Sequence, residues 1–346
     1  MATPLPSATR EIRLVTAPEG LPGPEHFAVV AQSLPMPGPG QVLVRNRYFL
    51  VFPGLRTLIG GAPEGVPLPP IHAGGVLFGP AVGEVVGVGP GSPLRPGDAV
   101  THLLGWREHA LVAAADCTPV DAALPDPVAH LSSGSAAYGA LTRLTDVRPG
   151  DTVLVTGAAG AVGTLAGPIA RLLGARKVIG STRSPAKAER LRTELGYDAV
   201  VVSGGQFPTF AEQLGTAAPE GIDVLVDTVG GEQLTAALTV ARRGARFALV
   251  GALSGQLSPH QDGDSAPAEI DTFRVINQGI TLSGYSGVDH PEVTQEWVKR
   301  FGGWLRSGEI SFPHVRIPGI EQAPRALQEL FEGRHFGTVV VELPAR

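Results

Sequence analysis

The amino-acid sequence predicts an α/β protein in which a doubly wound parallel sheet is joined to a small all-β, barrel-like unit. Two observations carry this prediction. Short β-type runs punctuated by Gly and Pro extend from Glu11 to about Val120, and apolar strand candidates alternate with helical segments from about Pro127 onwards. With 346 residues the chain is longer than a usual single core, so two domains are expected.

The strand candidates of the first part are the runs QVLVRNRYFLVF, AVGEVVGVG, DAVTHLL and REHALVAAADCTPV. Their spacing favours an all-β unit over βαβ repeats. The segment GGAPEGVPLPPIHAGG between the first two runs is loop-like, and a loop of this length in a compact domain is often functional.

The second part alternates the strand candidates TVLVTG, KVIGST, DAVVV, IDVLVDTVG, RFALVG and ITLSGYS with helical segments, among them residues 161–173 and 185–195. Continuous apolar strands that alternate with helices indicate a parallel sheet covered on both faces, as in dinucleotide-binding domains. A helix in VTQEWVKRFGGWLRSGEI and a strand in GTVVVEL follow. That last strand can return to the first domain, which would then be discontinuous.

Composition narrows the function. A formal net charge of −5 and 5% aromatic residues argue against a nucleic-acid partner, which needs clustered Lys and Arg. Cys117 is the only cysteine, so neither an intrachain disulfide nor a Cys-rich zinc site can form. The opening MATPLPSATREIRL does not read as a secretory signal, and no stretch approaches the roughly 18 apolar residues of a membrane span. We therefore expect a cytoplasmic protein that is not embedded in a membrane.

The most informative motif is TVLVTGAAGAVGTLAGPIARLLGA. Its glycines Gly157, Gly160 and Gly163 follow a strand candidate and open a helix, the context in which a glycine fingerprint binds a dinucleotide. Amides at the helix start can then bind the pyrophosphate. The alternative is a tight strand-to-helix turn without a cofactor.

The end of the second strand decides between NADH and NADPH. NAD enzymes place an acid there, on the ribose 2′-hydroxyl, whereas KVIGSTRSPAK has Ser181, Thr182, Arg183 and Lys187 and no acid. Arg183 can hold a 2′-phosphate in a bidentate grip and Lys187 can add a charge, so NADPH is the predicted cofactor. The alternative is that both are ordinary solvated charges.

With these residues in place, the chain resembles the medium-chain dehydrogenase/reductase superfamily, in its zinc-independent branch of quinone oxidoreductases and alkenal/one or prostaglandin double-bond reductases. The resemblance runs nearly end to end, through AVGEVVGVGPG, RPGDAV, SGSAAYGAL, VRPGDTVLVTGAAGAVG, LVDTVGG, LVGALS and EGRHFGTVVVEL. It implies a GroES-like catalytic domain over residues 1–127 and 312–346 and a Rossmann NADPH-binding domain over 128–311.

The zinc-containing alcohol dehydrogenases of the superfamily are the main competitors. They need a Cys early in the first domain, a His-Glu pair before AVGEVVGVG and a further Cys or Asp. Here Phe52 and Pro53 stand in the first region and Gly79-Pro80 replace the His-Glu pair, so a tetrahedral zinc site cannot be assembled and no metal is expected.

Without a metal, an enone or polyenone is a better acceptor than a simple ketone, because the charge that follows hydride addition delocalises into an enolate. Four positions depart from the resembling reductases. Gly54 and Gln256 stand where a Tyr is usual, and Thr228 and His335 where an Asn is usual. Loss of two phenols predicts a roomier substrate pocket and a different proton donor, with water, His335 and Tyr285 as candidates.

The resemblance and the motifs together assign the site residues. The candidate catalytic residues are Tyr285, His335 and Gln256, and the substrate-pocket residues are Phe52, Gly54 and Arg56. The cofactor-binding residues are Gly157, Ala159, Gly160, Ala161, Val162, Gly163, Ser181, Thr182, Arg183, Lys187, Thr228, Val229, Gly251, Ala252, Leu253, Ser254, Gly284, Tyr285, Ser286, Phe336 and Gly337.

The predicted function is therefore NADPH-dependent hydride addition to an activated C=C bond of a small unsaturated carbonyl compound, with reductive cyclisation in bacterial natural-product biosynthesis as a refinement. The alternatives are an NADPH:quinone reductase and a non-enzymatic, crystallin-like NADPH-binding protein. The segment GITLSGYSGV would be the last strand of the nucleotide sheet, and because an exposed edge strand can pair with a second copy, we expect a homodimer.

Overall fold

The computed structural model describes residues 5–61, 65–66, 68–204, 208–259 and 263–344. Parts of two segments that the sequence singled out, residues 1–4 of the opening and residues 62–64 and 67 of the long loop, lie outside the described residues.

Strands and helices follow one another as the alternation of patterns predicts. The strands are β1 (Ala8–Leu14), β2 (Phe27–Ser33), β3 (Gln41–Val51), β4 (Ala81–Val88), β5 (Ala99–His102), β6 (His109–Ala113), β7 (Thr118–Pro119), β8 (Thr152–Val155), β9 (Lys177–Thr182), β10 (Ala199–Val202), β11 (Ile222–Asp227), β12 (Ala241–Leu249), β13 (Thr281–Gly284), β14 (His314–Pro318) and β15 (Thr338–Glu342). The helices are α1 (Leu55–Ile59), α2 (Gly134–Gly139), α3 (Gly163–Leu172), α4 (Pro185–Leu195), α5 (Phe210–Ala217), α6 (Gly231–Thr239), α7 (Leu253–Gln256), α8 (Thr272–Gln278), α9 (Pro291–Ser307) and α10 (Ala323–Phe331).

The chain divides into two compact units. The first unit comprises Met1–Leu131, Val315–His335 and Val339–Arg346, and the second comprises Ser132–His314 and Phe336–Thr338. The sequence placed residues 312–346 together in the first domain. In the observed division, residues 128–131 lie in the first unit, and residues 312–314 and Phe336–Thr338 lie in the second, where the Gly337 amide donates to the carbonyl of Ala159 at 2.9 Å.

The first unit is built on an antiparallel sheet with the strand order β14-β15-β3-β4-β5-β7, in which β6 also pairs with β3. A separate antiparallel pair, β1 and β2, was not among the predicted strands. Alternate residues of the main sheet, among them Val42, Val44, Val85, Val100 and Val112, face a common core and are at most 3% exposed.

The second unit is built on a six-stranded sheet with the order β10-β9-β8-β11-β12-β13, and every pair in it is parallel. Its strands are apolar and buried, with Leu154, Ile179, Leu225 and Phe247 no more than 1% exposed. Burial on both faces is the reason such strands read as continuous apolar runs. The predicted doubly wound α/β unit is thus present, and β13 lies at one edge of the sheet.

Candidate cofactor and active site

The predicted cofactor-binding residues of the sheet lie together where its parallel strands end, at what is called here the carboxyl edge. They are the last residues of β8, β9, β11, β12 and β13 or come directly after them. Val155 at the end of β8 pairs with Gly180 of β9 and with Val226 of β11. Leu249 at the end of β12 pairs with Gly284 of β13. Open α/β sheets bind their ligands at this carboxyl edge, so the parallel pairing gathers residues that are far apart in sequence.

The glycine turn between β8 and α3 depends on missing side chains. Gly157 has a φ of +59°, in the left-handed region that favours glycine. A Cβ on Gly163 would lie 2.7 Å from the backbone carbon and oxygen of Ala158, so the helix can start this close to the turn only with glycine there. Gly160 is exposed and Ala161 and Val162 are half-buried. The open face of the turn is therefore backbone at the start of a helix, as an anionic ligand requires.

Tyr197 fixes α3 against the sheet. Its buried phenol donates to the carbonyl of Gly163 at 2.6 Å. A Cβ on Gly167 of α3 would lie 2.5 Å from the ring, and one on Gly180 of β9 would lie 2.9 Å from it. Burial raises the pKa of Tyr197 far above its ordinary value, so the phenol remains a donor at neutral pH. The start of α3, which belongs to the predicted phosphate site, is thus held in place by Tyr197, whose ring fits against Gly167 and Gly180.

A buried carboxylate joins the turn to the end of β11. Asp227 is 1% exposed and accepts from the Thr156 hydroxyl at 2.5 Å and from the Gly230 amide at 3.0 Å. The Thr156 hydroxyl in turn accepts from the Thr228 amide at 2.8 Å. These bonds satisfy a buried charge and hold the backbone of Thr228 and Val229, which the resemblance assigned to the ribose.

Ser181 supports the turn from β9. Its hydroxyl accepts from the Gly157 amide at 3.0 Å and donates to the side-chain oxygen of Gln233 at 2.6 Å, and the residue is fully buried. Its carbonyl accepts from the Ala158 amide at 2.8 Å. The Ser181 side chain, predicted to contact the cofactor, therefore contacts the turn that we expect to bind it. Thr182, next along β9, accepts through its hydroxyl from the Ser184 amide at 3.3 Å.

Three cations cluster beyond the end of β9. Arg183 is exposed, Lys187 lies half-buried in the first turn of α4, and Arg190 lies one turn further on. Burial, together with the charges of Arg183 and Arg190, lowers the pKa of Lys187 to about 8. The charges of Arg183 and Arg190 disfavour protonation of Lys187, so an anion bound beside them is favoured, and a 2′-phosphate is one.

The C-terminal segment reaches this cluster. The ring of Phe336 is 5% exposed and lies under the Arg190 guanidinium, whose carbon is 4.0 Å from the ring centroid. Gly337 pairs with Gly160 in a parallel bridge and has a φ of +83°. A Cβ on Gly337 would clash with the backbone of Pro313. The resemblance assigned Phe336 and Gly337 to the cofactor site; Gly337 lies against the glycine turn, and Phe336 lies against Arg190 of the cationic cluster.

The segment after β12 packs on the backbone at the end of β11. The amides of Leu253 and Ser254 donate to the carbonyls of Thr228 and Val229 at 3.2 and 2.9 Å. A Cβ on Gly251 would lie 2.9 Å from the carbonyl of Thr228, so this close approach requires glycine. Ala252 precedes α7, and Gln256 is the half-buried last residue of that helix.

Tyr285 follows β13, between the exposed residues Gly284 and Ser286. Its amide donates to the carbonyl of Leu249 at 2.9 Å, so its backbone continues the sheet. Burial and the charge of Glu292 raise the pKa of the Tyr285 phenol, which keeps it protonated at neutral pH. Tyr285 is therefore a hydrogen-bond donor at the carboxyl edge of the sheet.

The remaining predicted residues lie in the first unit. The Phe52 ring packs against two glycines, since a Cβ on Gly54 would lie 3.1 Å from it and one on Gly79 would lie 2.7 Å from it. Part of the space expected from the absent tyrosine at Gly54 is thus filled by Phe52. Arg56 is only 2% exposed. His335 has its Nε2 3.3 Å from a carboxylate oxygen of Glu329 within the first unit.

Sequence reasoning missed several supporting residues. Asp227 stood in the LVDTVGG motif, and an acid at the end of an apolar strand is a signal for such a brace. Arg190 continues the series of Arg183 and Lys187 at spacings that share one face of a helix, a pattern that could have been recognised. Gln233 and Tyr197 gave no local signal, because their contacts depend on tertiary packing.

Metal centres and membrane spans are two other classes of site that the described residues can be compared with. No group of three or more His, Cys, Asp or Glu side chains that could hold a metal ion occurs among the residues that the structure describes. Within those same residues, no helix combines the length and apolar character needed to cross a membrane.

The residues at the carboxyl edge fit NADPH. The turn excludes a Cβ at Gly163 and presents exposed backbone at Gly160, which suits a pyrophosphate. The neighbouring cluster of Arg183, Lys187 and Arg190 suits a further phosphate. A neutral or acidic surface at the end of β9 would have suited NADH instead.

Comparisons with known proteins agree with this geometry. The family model described as the N-terminal domain of oxidoreductase matches residues 10–120, and the model described as zinc-binding dehydrogenase matches residues 161–301. The NADPH-dependent curcumin reductase of Escherichia coli is 30% identical, over 95% of both chains. Prostaglandin reductase 1 of Bos taurus is 31% identical, over 93% of this chain and 95% of its own length.

Among solved structures, CurA from Vibrio vulnificus in complex with NADPH superposes with a TM-score of 0.87 at 28% identity, covering 97% of this chain and 100% of the other. The family inferred from the sequence is thereby confirmed. By its full-length similarity to these reductases, the chain belongs to the zinc-independent medium-chain dehydrogenase/reductase superfamily, in the branch of NADPH-dependent alkenal/one double-bond reductases.

Proposed function

We propose that this chain is an NADPH-dependent oxidoreductase that adds hydride to the C=C bond of an enone or extended polyenone, with the cofactor at the carboxyl edge of the parallel sheet. The observation that carries the proposal is the glycine turn with the cationic cluster beside it. Membership of the double-bond reductase branch supports the reaction type.

The chain's own residues would bind the cofactor by two kinds of contact. Backbone at Gly160, Ala161 and Val162 faces the pyrophosphate at a helix start, and Arg183 and Lys187 hold the 2′-phosphate. Bound NADPH supplies the hydride. The backbone of Thr228 and Gly251, fixed by the hydrogen bonds described above, would hold the ribose and the nicotinamide half in place.

Reduction of an enone leaves negative charge on the carbonyl oxygen and requires a proton at the α-carbon. A protonated donor close to that oxygen stabilises the charge as it develops. Tyr285 is the candidate best supported, because its phenol is a neutral hydrogen-bond donor and lies in the segment assigned to the nicotinamide wall. His335 is less well supported, since its imidazole faces Glu329 in the first unit.

For the acceptor, we propose that Phe52 and Gly54 of the first unit provide an apolar wall. Arg56, which the resemblance also assigned to the pocket, is only 2% exposed and would support this wall from inside the fold. Gly54 and Gln256, in place of two phenols, suit a long conjugated acceptor of secondary metabolism. On such a polyene, reductive ring closure is a finer proposal. Simple reduction and ring closure give products of equal mass, so the test is a count of alkene carbons by NMR, with two fewer expected after ring closure because one further C=C bond is consumed.

The reaction itself is tested with NADPH deuterated at the transferred position and an anaerobic panel of enones, polyenones and quinones. Deuterium at the β-carbon of a saturated ketone is the expected result. Label at the carbonyl carbon, giving an allylic alcohol, would contradict addition to the C=C bond. Preference for quinones over every enone would favour the quinone reductase alternative.

A binding measurement separates the enzymatic from the non-enzymatic reading. Calorimetry with NADPH should register tight binding, and the same preparation should oxidise NADPH when an enone is added. Tight binding without turnover on any acceptor would favour a crystallin-like role. A location in the cytoplasm remains part of the proposal, and fractionation of the producing cells tests it.

We further propose a homodimer through the β13 edge. The neighbouring helix α8 supports this, because its Phe273 and Ile276 are each 75% exposed and lie three residues apart on one face. Ile270, just before the helix, is 41% exposed. An apolar patch beside an unpaired strand edge fits a second copy of the same chain.

A further inference from the structure

We propose that Gly139 is a positioning residue for Tyr285, because the absence of a side chain on this glycine leaves the space in which the phenol lies. Tyr285 matters as a donor in the reductase site, so the inference rests on the proposed function. Gly139 is not among the residues that the sequence assigned to the site.

One face of the phenol lies against the backbone of α2. A Cβ on Gly139 would lie 2.5 Å from Cε2 of Tyr285 and closer still to Cζ and the phenol oxygen. Real Cβ atoms do not make non-bonded contacts this short, so any larger residue at position 139 must displace the phenol. Gly139 is itself buried, which limits how far α2 can retreat.

The ring of Tyr285 has a second close neighbour. The ring of His290 stacks on it with centroids 5.4 Å apart and an interplanar angle of 7°. Nδ1 of His290 lies 3.6 Å from a Glu292 oxygen, and the same carboxylate lies 3.7 Å from Nε of Arg143. The phenol therefore contacts both a histidine ring that lies near charged groups and a bare stretch of helix backbone.

The helix changes form at this point. Residues Ala140–Leu144 form a π-helical turn directly after Gly139, and the amide of Thr145 donates to the carbonyl of Ala140 at 3.0 Å. A π-helical turn widens a helix and is often found at functional sites. The glycine and the wide turn together set where the α2 backbone runs beside the phenol.

The first experiment locates the phenol without using activity. The ultraviolet signal of tyrosine ionisation is titrated in the wild type and in Gly139→Ala, each minus its Tyr285→Phe partner, which isolates Tyr285 from the chain's other three tyrosines. In the wild type the midpoint should lie above the ordinary value, and in Gly139→Ala it should move back toward about 10 as the phenol is displaced from its place beside α2. An unchanged midpoint would overturn the inference.

The second experiment measures the consequence for turnover. Gly139→Ala should lower kcat/KM for an enone by about 10- to 100-fold, as expected for a displaced catalytic group, while the Kd for NADPH changes less than about twofold. In a Tyr285→Ala background, Gly139→Ala should add nothing further, because the clash partner is gone. An equal loss in both backgrounds would show damage that does not act through Tyr285 and would overturn the inference.

Two further variants control for a general effect of alanine in a helix and for failure to fold. Gly303→Ala alters a helical glycine whose Cβ would meet nothing within 4 Å and should leave both readouts unchanged. If Gly139→Ala alone fails to fold, Gly139→Ala with Tyr285→Ala should restore folding, and failure to restore it would count against the steric argument. A wild type that never reduces an enone would refute the proposed function, whereas a fully active Tyr285→Ala variant would refute only the role of Tyr285.

Discussion

Arg183 follows β9 at the position where NAD enzymes carry an acid, and we propose that this residue selects NADPH over NADH. Arg183→Ala should weaken the Kd for NADPH by about 10- to 100-fold, because a hydrogen bond between charged groups contributes about 1.5–3 kcal/mol. Affinity for NADH, which lacks the 2′-phosphate, should change less than about twofold. Calorimetric titration with both cofactors measures the difference.

Arg192→Ala is the matched control for this prediction. Arg192 lies on α4 as well, but it pairs with Glu189 at the protein surface. Its removal should leave the affinity for both cofactors unchanged. Equal losses of NADPH and NADH affinity in Arg183→Ala would show that Arg183 supports the fold and does not read the 2′-phosphate.

Lys187 makes NADPH binding depend on pH. Its pKa in the free protein is lowered to about 8 by burial and by Arg183 and Arg190, so it loses its proton as the pH rises through that value. A bound phosphate favours the ammonium form and takes up a proton. The affinity for NADPH should therefore fall by up to about tenfold per pH unit above pH 8, while that for NADH stays flat.

Protonation of Lys187 has the opposite effect on the stability of the fold: it favours NADPH binding but destabilises the folded protein without the cofactor. Because the folded-state pKa of Lys187 lies below its ordinary value of 10.5, the fold is penalised below about pH 8, and the penalty disappears as the pH rises toward 10.5. Because it lacks the ammonium group, Lys187→Met should bind NADPH more weakly than the wild type at neutral pH. Its affinity for NADPH should not fall steeply above pH 8. A fall of the same steepness in Lys187→Met would assign the titration to another group.

The turn between β8 and α3 is the element on which the cofactor site depends. Gly163→Ala places a Cβ 2.7 Å from the backbone carbon and oxygen of Ala158, atoms that cannot move aside as a side chain would. Overpacking of this kind costs about 1–3 kcal/mol and shifts the helix start. We expect a lower free energy of unfolding and a loss of NADPH affinity, measured by urea unfolding and calorimetry.

Gly215→Ala provides the comparison for the turn variant. Gly215 is inside α5 and a Cβ there would meet nothing within 4 Å, so alanine should raise the free energy of unfolding by about 1 kcal/mol through helix propensity. NADPH affinity should not change. A Gly163→Ala protein as stable and as tightly binding as the wild type would show that the turn can relax.

The elements that could be predicted from the sequence are those whose structure depends on neighbouring residues along the chain. Helix α4 was predicted with its observed bounds, because Ser184 caps its start, Pro185 opens it and Gly196 ends it with a φ of +67°. The strands of the parallel sheet were predicted because burial on both faces makes them continuously apolar. Strand β2 was missed, since most of its residues are exposed and its pattern carries little apolar alternation.

The candidate site also has a part that could be predicted from the sequence and a part that could not. The glycine turn could be predicted, because its chemistry resides in consecutive backbone atoms. The contact of Phe336 with Arg190 could not, since it joins a tail to a helix about 150 residues earlier and neither side chain signals the other. The glycine at position 139 is a further example, because its role depends on a tyrosine that only the fold brings to it.

For the whole molecule, the proposed homodimer through the β13 edge predicts the mass in solution. Light scattering should give twice the chain mass of 35.7 kDa. Phe273→Glu with Ile276→Glu should reduce it to the single-chain mass, because two carboxylates on the α8 face would face the same two on the second copy. Met36→Glu, at a 71% exposed apolar residue of the first unit, should leave the mass doubled. A wild type at the single-chain mass would show that the β13 edge stays open to water, and its apolar neighbours would then need another partner.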